Sequence, residues 1–398
     1  MPLTRESDII DVNADLALIS RWADQWRVVF NASKTQYMIF SKKSIRPPPI
    51  SIFFNGTPIE QVRFHCHLGV WFTDTMTWEK HTREIVNKTS RSLNLLKRMS
   101  SYVSRKTKLS IYKTYLRPKM EYATSIFDGN LTKNQIDNLE NIQRQALLCA
   151  LNAYKHTSHD KLLKEAGIEP LAVRRRYFGL CHLYKIINRL APIYLYNLLP
   201  PRVQGVSTYP LRNMQDFSIP RANKNYIILS FFWQFLHLWN ALDLNIQQLS
   251  SLSQFKAYFK ASSLFKENKL FTYFSSKSST QHSRMRMGLS ALNAQRRAYN
   301  FIQHDSCPLC GFRPEDTVHF FLTCPKLAIL RQTMMRDISN IFTEKLPFLN
   351  VHADSRRIRT DICEILLNGS SRLLFEENVT IFKAVIDFIG ETKRFDIN

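Results

Sequence analysis

Apolar residues recur along this chain at helical spacing far more often than in strand alternation. Between Ala14 and Val29 they fall at Leu16, Ile19, Trp22, Ala23 and Trp26, which predicts one face of an amphipathic helix stopping before Asn31. The pattern then changes. Tyr37 to Phe40 and Ile50 to Phe54 are largely β-branched or aromatic and are split by Lys42, Lys43 and the Pro47-Pro48-Pro49 loop. Asn55-Gly56 suits a hairpin turn because both residues tolerate positive φ, and Phe64 to Phe72 offers a third strand. Residues 1–75 thus read as a helix packed on a small antiparallel sheet.

From Trp78 to Leu199 the pattern is helical and basic. Val86, Leu93, Leu96 and Met99 make one apolar stripe, Leu109, Tyr112 and Leu116 a second that ends at Pro118, and Ile136, Leu139, Ile142, Ala146 and Cys149 a third. Around the stripes stand Arg83, Lys88, Arg91, Lys97, Arg105, Lys106, Lys108, Lys113 and Arg117. Residues 76–200 therefore predict a helical bundle with a cationic face. Pro200-Pro201 and the Gly, Ser and Pro content up to Pro220 predict a linker, after which Tyr226 to Leu244 and Phe255 to Phe265 read as helices. The run Ser275 to Ser279 closes this 201–279 segment. A cysteine cluster occupies 280–336, and 337–398 reads as a helical tail with Ile362, Ile365, Leu366, Ile381, Val385 and Phe388 as its apolar positions. The expected fold class is mainly α with a small antiparallel sheet near the N-terminus (α+β).

Length and charge narrow the picture. The 398 residues exceed the roughly 250 to 300 at which single cores stop growing, so several domains are expected. Lys and Arg number 55 against 32 Asp and Glu, a formal charge of +23 with a pI near 9.8. That excess points to a polyanionic partner, because each phosphate neutralised by a cation releases a counterion. The plainer alternative is a solvated basic surface with no specific partner. Tyr226 to Leu244 carries Gln234, His237, Asn240 and Asp243, groups costly in lipid, so a buried helix is expected and no membrane partner. No N-terminal run has the form of a secretory signal, so a nuclear or cytoplasmic protein with reduced thiols is expected.

The sharpest local signal is Cys307-x2-Cys310-x8-His319-x4-Cys324, within CPLCGFRPEDTVHFFLTCP. Thiolates and imidazole are zinc ligands, and four protein ligands leave no coordination position for water, so a structural Zn2+ is expected. Gly311 after the second cysteine suits a turn whose amides face the sulfurs. The alternative is unliganded cysteines beside a core histidine. His65 and His67 flank Cys66, but on a strand the two imidazoles share one face and the thiol the other, which argues against a second metal. The sequence has no Asp-Asp pair to hold two magnesium ions and no Gly-x4-Gly-Lys loop for a nucleotide's phosphates. Asp11 and Asp15 are expected to cap a helix and face solvent.

Several segments together carry a resemblance. ADLALISRWADQWRVVFNASKTQYMIFS, Ala14 to Ser41, resembles the helix and strand that follow the catalytic aspartates in reverse transcriptases of jockey-like and related non-LTR (LINE) retrotransposons. Asn31, Lys34 and Thr35 match its Asn-x-x-Lys-Thr signature. HCHLGVWF resembles the primer-grip strand, with Leu68-Gly69 at its centre, and IYKTYLRPKMEYATSIFDG, TSHDKLLKEAGIEPLAVRR and APIYLYNLLP resemble the thumb-like continuation. FFWQFLHLWNALDLNI with FKAYF, then RMRMGLSALN leading into the cysteines, resemble the family's further C-terminal and zinc-binding segments.

The resemblance implies a nucleic-acid-binding C-terminal portion of an RNA-directed DNA polymerase. Its partners would be an RNA template, an RNA-DNA hybrid and a DNA target, contacted through Lys34, Leu68, Gly69, Arg83, Lys88, Arg91, Arg105, Lys106, Lys108 and Lys113. The family carries its Asp-Asp motif and Mg2+ upstream of the matched segments, so this chain alone is expected to be inactive. Lys34 aligns with a lysine that such polymerases place near the leaving pyrophosphate. Two alternatives stay open: part of an active polymerase when translated with its upstream region, or a co-opted zinc module that binds a partner.

Overall fold

The computed structural model describes residues 6–31, 34–41, 50–206, 214–262, 268–349 and 355–396, so the triple-proline loop lies outside the described residues. The chain is mostly helical, with a few small sheets near the N-terminus.

Helix α1, Glu6–Gln25, starts earlier than its apolar stripe because Ile9, Ile10 and Val12 continue the pattern. It is tied to the next segment by Asn13, whose Oδ1 accepts from Phe53 N at 2.8 Å while its Nδ2 donates to Ser51 O at 3.2 Å. Asp11 and Asp15 lie inside the helix, exposed, and do not cap it.

Among the described residues the β elements form three separate ladders rather than one sheet. Strand β1 (Gln36–Tyr37) pairs parallel with β4 (Glu60–Gln61), a departure from the antiparallel expectation. Strands β2 (Phe53–Phe54) and β3 (Thr57–Pro58) turn antiparallel about Asn55-Gly56, as the turn residues predict. The run expected as one strand, Phe64 to Phe72, is instead a hairpin: β5 (Phe64–His67) pairs with β6 (Val70–Thr73). The chain reverses at Leu68 and Gly69, with φ of 47° and 81°. Glycine favours that region but leucine rarely adopts it, so Gly69 alone marks the reversal in the sequence. The Tyr122 hydroxyl donates to Leu68 O at 2.8 Å and fastens the turn to the helices that follow.

The first apolar core joins α2 (Glu79–Met99), α3 (Arg105–Ile111), α4 (Lys133–Leu151) and α5 (His159–Ala166). Along α2 the buried stripe runs through Ile85, Thr89, Leu93 and Leu96. It is rotated from the expected face, leaving Met99 36% exposed. Leu109, Tyr112 and Leu116 are fully interior. After α3 the backbone widens into a π turn at Tyr112–Leu116 just before Pro118, which has no N–H to give a regular helix.

A second core forms where α6 (Leu171–Ile187), α7 (Phe231–Asn240) and α8 (Leu252–Ala261) meet, with Tyr184, Trp239 and Phe255 in mutual ring contact at 4.8 to 6.3 Å. Gly179 is required there. A Cβ on it would stand 2.0 Å from the Phe235 ring.

The third core gathers α9 (Lys277–Arg286), α10 (Ala328–Lys345), α11 (Arg356–Asn368) and α12 (Phe375–Glu391) around the cysteine loop. Ile362, Leu366, Ile381, Val385 and Phe388 are all buried in it, as their spacing predicts.

Helix α9 joins the first core to the third. Glu165 at the end of α5 accepts from Arg105 Nη2 (2.9 Å), Arg286 Nη2 (2.6 Å) and Ser283 Oγ (2.8 Å), uniting three helices at one buried carboxylate. Burial alone would raise this carboxyl, but Arg286 and Arg105 beside it hold it down to about 2.

Candidate metal centre and nucleic-acid interface

The loop between α9 and α10 brings Cys307, Cys310, His319 and Cys324 together, their ligand atoms all within 4.8 Å of one another. Local hydrogen bonds set this shape. Gly311 N donates to Cys307 O and Cys307 N to Phe312 O, both at 2.8 Å, closing a tight knuckle that Gly311 permits with φ of 78°. A π turn over His319–Thr323 then aims the imidazole back, with Cys324 N donating to His319 O at 2.8 Å.

Cys307 Sγ and Cys324 Sγ are 4.0 Å apart, and Cys310 Sγ is 3.3 Å from His319 Nε2. Sulfurs about 2.3 Å from one tetrahedral ion lie roughly 3.8 Å from each other, so the four groups fit a zinc ion. His319 Nδ1, facing away from the sulfurs, meets Thr323 Oγ1 at 3.3 Å, and Phe312 stacks on the ring at 4.8 Å. Such outer contacts fix the ring that would ligate through Nε2. Burial pushes the Cys307 thiol up to about 12 and lowers His319. The histidine is thereby kept in its ligating neutral form, while the Cys307 thiol needs a cation to ionise. His65 and His67 stack at 6.4 Å on a hairpin face, and neither belongs to a metal-competent cluster among the described residues.

The loop does not stand alone. Phe320 and Phe321, which follow the histidine, pack on Phe388, and Phe320 also on Phe395. Glu315, 1% exposed, takes a two-pronged pair from Arg394 at 2.8 Å on each oxygen and also accepts from Asn293 N. Nothing in the local cysteine spacing signals either anchor.

The cations singled out in the sequence part into different surroundings. Lys34 is exposed, and Leu68 is 76% exposed at the hairpin tip beside Gly69. Arg83, Lys88 and Arg91 face solvent from α2, as does Lys106 from α3. Arg105 and Lys108 point inward instead, Arg105 to Glu165 and Lys108 to a 1% exposed position. Lys113 lines a cleft of about 1130 Å³ together with Arg117, Arg174, Arg176 and, from α8, Lys256 and Lys260. Tyr177, Phe178 and Phe259 supply its rings, and Glu169 is the one carboxylate lining it among the described residues. Lys119 is a further cation the stripes did not mark. It stands 3.7 Å over the exposed Tyr115 ring and lowers that hydroxyl by its hydrogen bond. No helix among the described residues is long and apolar enough to cross a membrane.

Comparison with known proteins bears on this arrangement. Over 145 residues, 35% of the chain, it is 30% identical to the "Probable RNA-directed DNA polymerase from transposon X-element" of Drosophila melanogaster. The chain is related to a transposon-encoded reverse transcriptase. The matched stretch spans 16% of that protein's length. No family model and no solved structure matches.

Proposed function

We propose that this chain is the nucleic-acid-binding C-terminal portion of a non-LTR retrotransposon reverse transcriptase, holding RNA template and RNA-DNA hybrid by their phosphates and stabilised by one structural zinc. The observation that carries this reading is the similarity to the transposon X-element polymerase, joined to a formal net charge of +23 on the chain. The cleft lined by Lys113, Arg176 and Lys256 pairs cations with aromatic faces, which suits a single strand: phosphates meet the cations and bases stack on rings. The divisions near 75, 200, 279 and 336 belong to the same reading, as does a nuclear or cytoplasmic setting with a DNA target. Zinc would be held by Cys307, Cys310, His319 and Cys324 and would supply cross-linking of the loop, with no open position for chemistry.

Binding dominated by phosphate contacts must weaken steeply with salt and discriminate little between sequences. Filter binding of RNA across a salt series tests this, with Arg83, Lys88, Arg91 and Lys106 reversed to Glu in the comparison variant. The reversal should weaken binding to all sequences alike. A curve flat in salt, or one unmoved by the reversal, refutes the reading. Primer extension by the pure chain should be undetectable, since its sequence holds no Asp-Asp pair for two metal ions.

A further inference from the structure

A cavity of about 710 Å³ lies between the end of α2, the start of α3 and the start of α9. Among the described residues five cations line it, Lys97, Arg105, Lys108, Lys277 and Arg284, and no carboxylate does. Arg105 has Glu165, and Lys277 reaches Asp396 at 3.0 Å, but the other three meet only neutral oxygens among the described residues. Lys108, 1% exposed, donates to Asn152 Oδ1 at 2.9 Å and to Ser100 Oγ and O at 3.3 and 3.4 Å. Arg284 donates to Asn152 O at 2.8 Å and to the Tyr154 hydroxyl, and Lys97 to Gln145 Oε1 at 3.5 Å.

Two cations thus converge on one asparagine with no counter-ion, one of them buried. An uncompensated buried charge is costly, and so is the mutual repulsion of like charges in a low-dielectric recess. Arg105 adds a second sign of an absent acceptor, because its Nε is buried without a hydrogen-bond partner. The start of α9 lies on the same cavity, and a helix start favours negative charge.

We propose that this cavity is a phosphate-binding site, and that the phosphates it takes are consecutive groups of a nucleic-acid strand passing between α2 and α9. The strand assignment rests on the function proposed above; the phosphate chemistry rests on the cavity alone. Charge-assisted bonds from Lys97, Lys108, Arg284 and the exposed Lys277 to phosphate oxygens would relieve the repulsion.

The test uses the full chain and two probes: a labelled single-stranded RNA and inorganic tripolyphosphate. The cavity variant is Lys97→Gln with Lys277→Gln, both exposed and expected to leave the fold intact. The control is Arg83→Gln with Arg91→Gln, outside the cavity. Losing two strand contacts should reduce the slope of log affinity against log salt by about 1.4, and tripolyphosphate should bind the cavity variant about tenfold more weakly. Asn152→Asp places a carboxylate beside Lys108 and Arg284. It should raise the melting temperature while weakening both probes, a combination that a merely structural asparagine would not give.

A cavity variant unchanged toward both probes, or an Asn152→Asp variant that binds them as well as wild type, overturns the site. RNA binding weakened by the control but not by the cavity variant also overturns it, and leaves the proposed function standing. A chain that binds tripolyphosphate through these lysines but no RNA keeps the phosphate site and ends both the strand assignment and the nucleic-acid reading.

Discussion

The two ends of the described chain use the same raw material differently. In the N-terminal segment the apolar stripe holds two tryptophans, one in α1 and one just past its end, yet Trp22 is 50% and Trp26 64% exposed, and Val29 beyond them 94%. Ala23 is the member of that stripe fully covered. In the C-terminal body Phe320, Phe321, Phe382 and Phe388 are each no more than 2% exposed and share one core with two of the zinc-competent cysteines, Cys307 and Cys324. An amphipathic pattern therefore states which face of a helix wants cover, and says nothing of whether cover arrives. In the C-terminal body it arrives because α10 and α12 pack against each other and share one core with the loop that brings Cys307 and Cys324 together.

This contrast can be broken most severely at the metal. Structural zinc contributes about 10 to 16 kcal/mol in small finger domains, so Cys310→Ser, or a chelator, should unfold the loop and loosen the C-terminal body while α1 is unaffected. Metal analysis should find about one equivalent of zinc in the wild-type chain and far less in the variant, and equal content in both would return these thiols to ordinary core residues.

Next come two buried contacts expected to cost about 3 to 5 kcal/mol each in urea denaturation. Phe320→Ala leaves a cavity against Phe388 and Phe395. Glu165→Gln strands Arg105 and Arg286 without their shared counter-ion. A loss below about 1 kcal/mol for Glu165→Gln would mean that water reaches the trio.

A smaller effect follows pH. His282 is held down to about 3 by burial and by Arg286, its Nε2 donating to Leu366 O and its Nδ1 accepting from Arg286. The unfolded chain takes up a proton near the ordinary histidine value of 6.5 that the folded chain refuses until about 3, so stability falls as pH drops through that window. Glu165, held at about 2 against an ordinary 4.5, adds a loss in the same direction at lower pH. Between pH 6.5 and 4.5 the histidine should give a slope of about 1.4 kcal/mol per pH unit. Denaturant midpoints in His282→Asn should lose that slope, and a variant with the wild-type slope would place the titration elsewhere.

The smallest expected effect is at the uncovered face. Trp22→Gln should shift stability by no more than about 0.5 kcal/mol, because half the ring already meets water. A cost comparable to that of Phe320→Ala would show the face covered in solution.

Much of this molecule was legible before any coordinates. Leu109, Tyr112 and Leu116, or Ile381, Val385 and Phe388, fall inside because helical spacing is a local property of a few turns. The convergence of Cys307, Cys310, His319 and Cys324 was legible for the same reason, since Cys307 to Cys324 is one short loop whose spacing alone limits where the side chains can meet. The hairpin at Leu68-Gly69 was not, because Gly69 is its lone turn signal and the neighbouring leucine at positive φ is fastened by Tyr122, far along the chain.

The fates of the cations lay beyond the sequence altogether. Arg83 and Arg105 look alike in a basic helical run, yet one meets water and the other Glu165, 60 residues away, and Arg286 joins that carboxylate across 121. The recess that gathers Lys97, Lys108 and Arg284 likewise draws on segments nearly two hundred residues apart. Periodicity and ligand spacing are fixed by bonded neighbours over a few turns. The surroundings of a charge depend on which distant groups the packing brings within a few ångströms, and only the tertiary structure decides that.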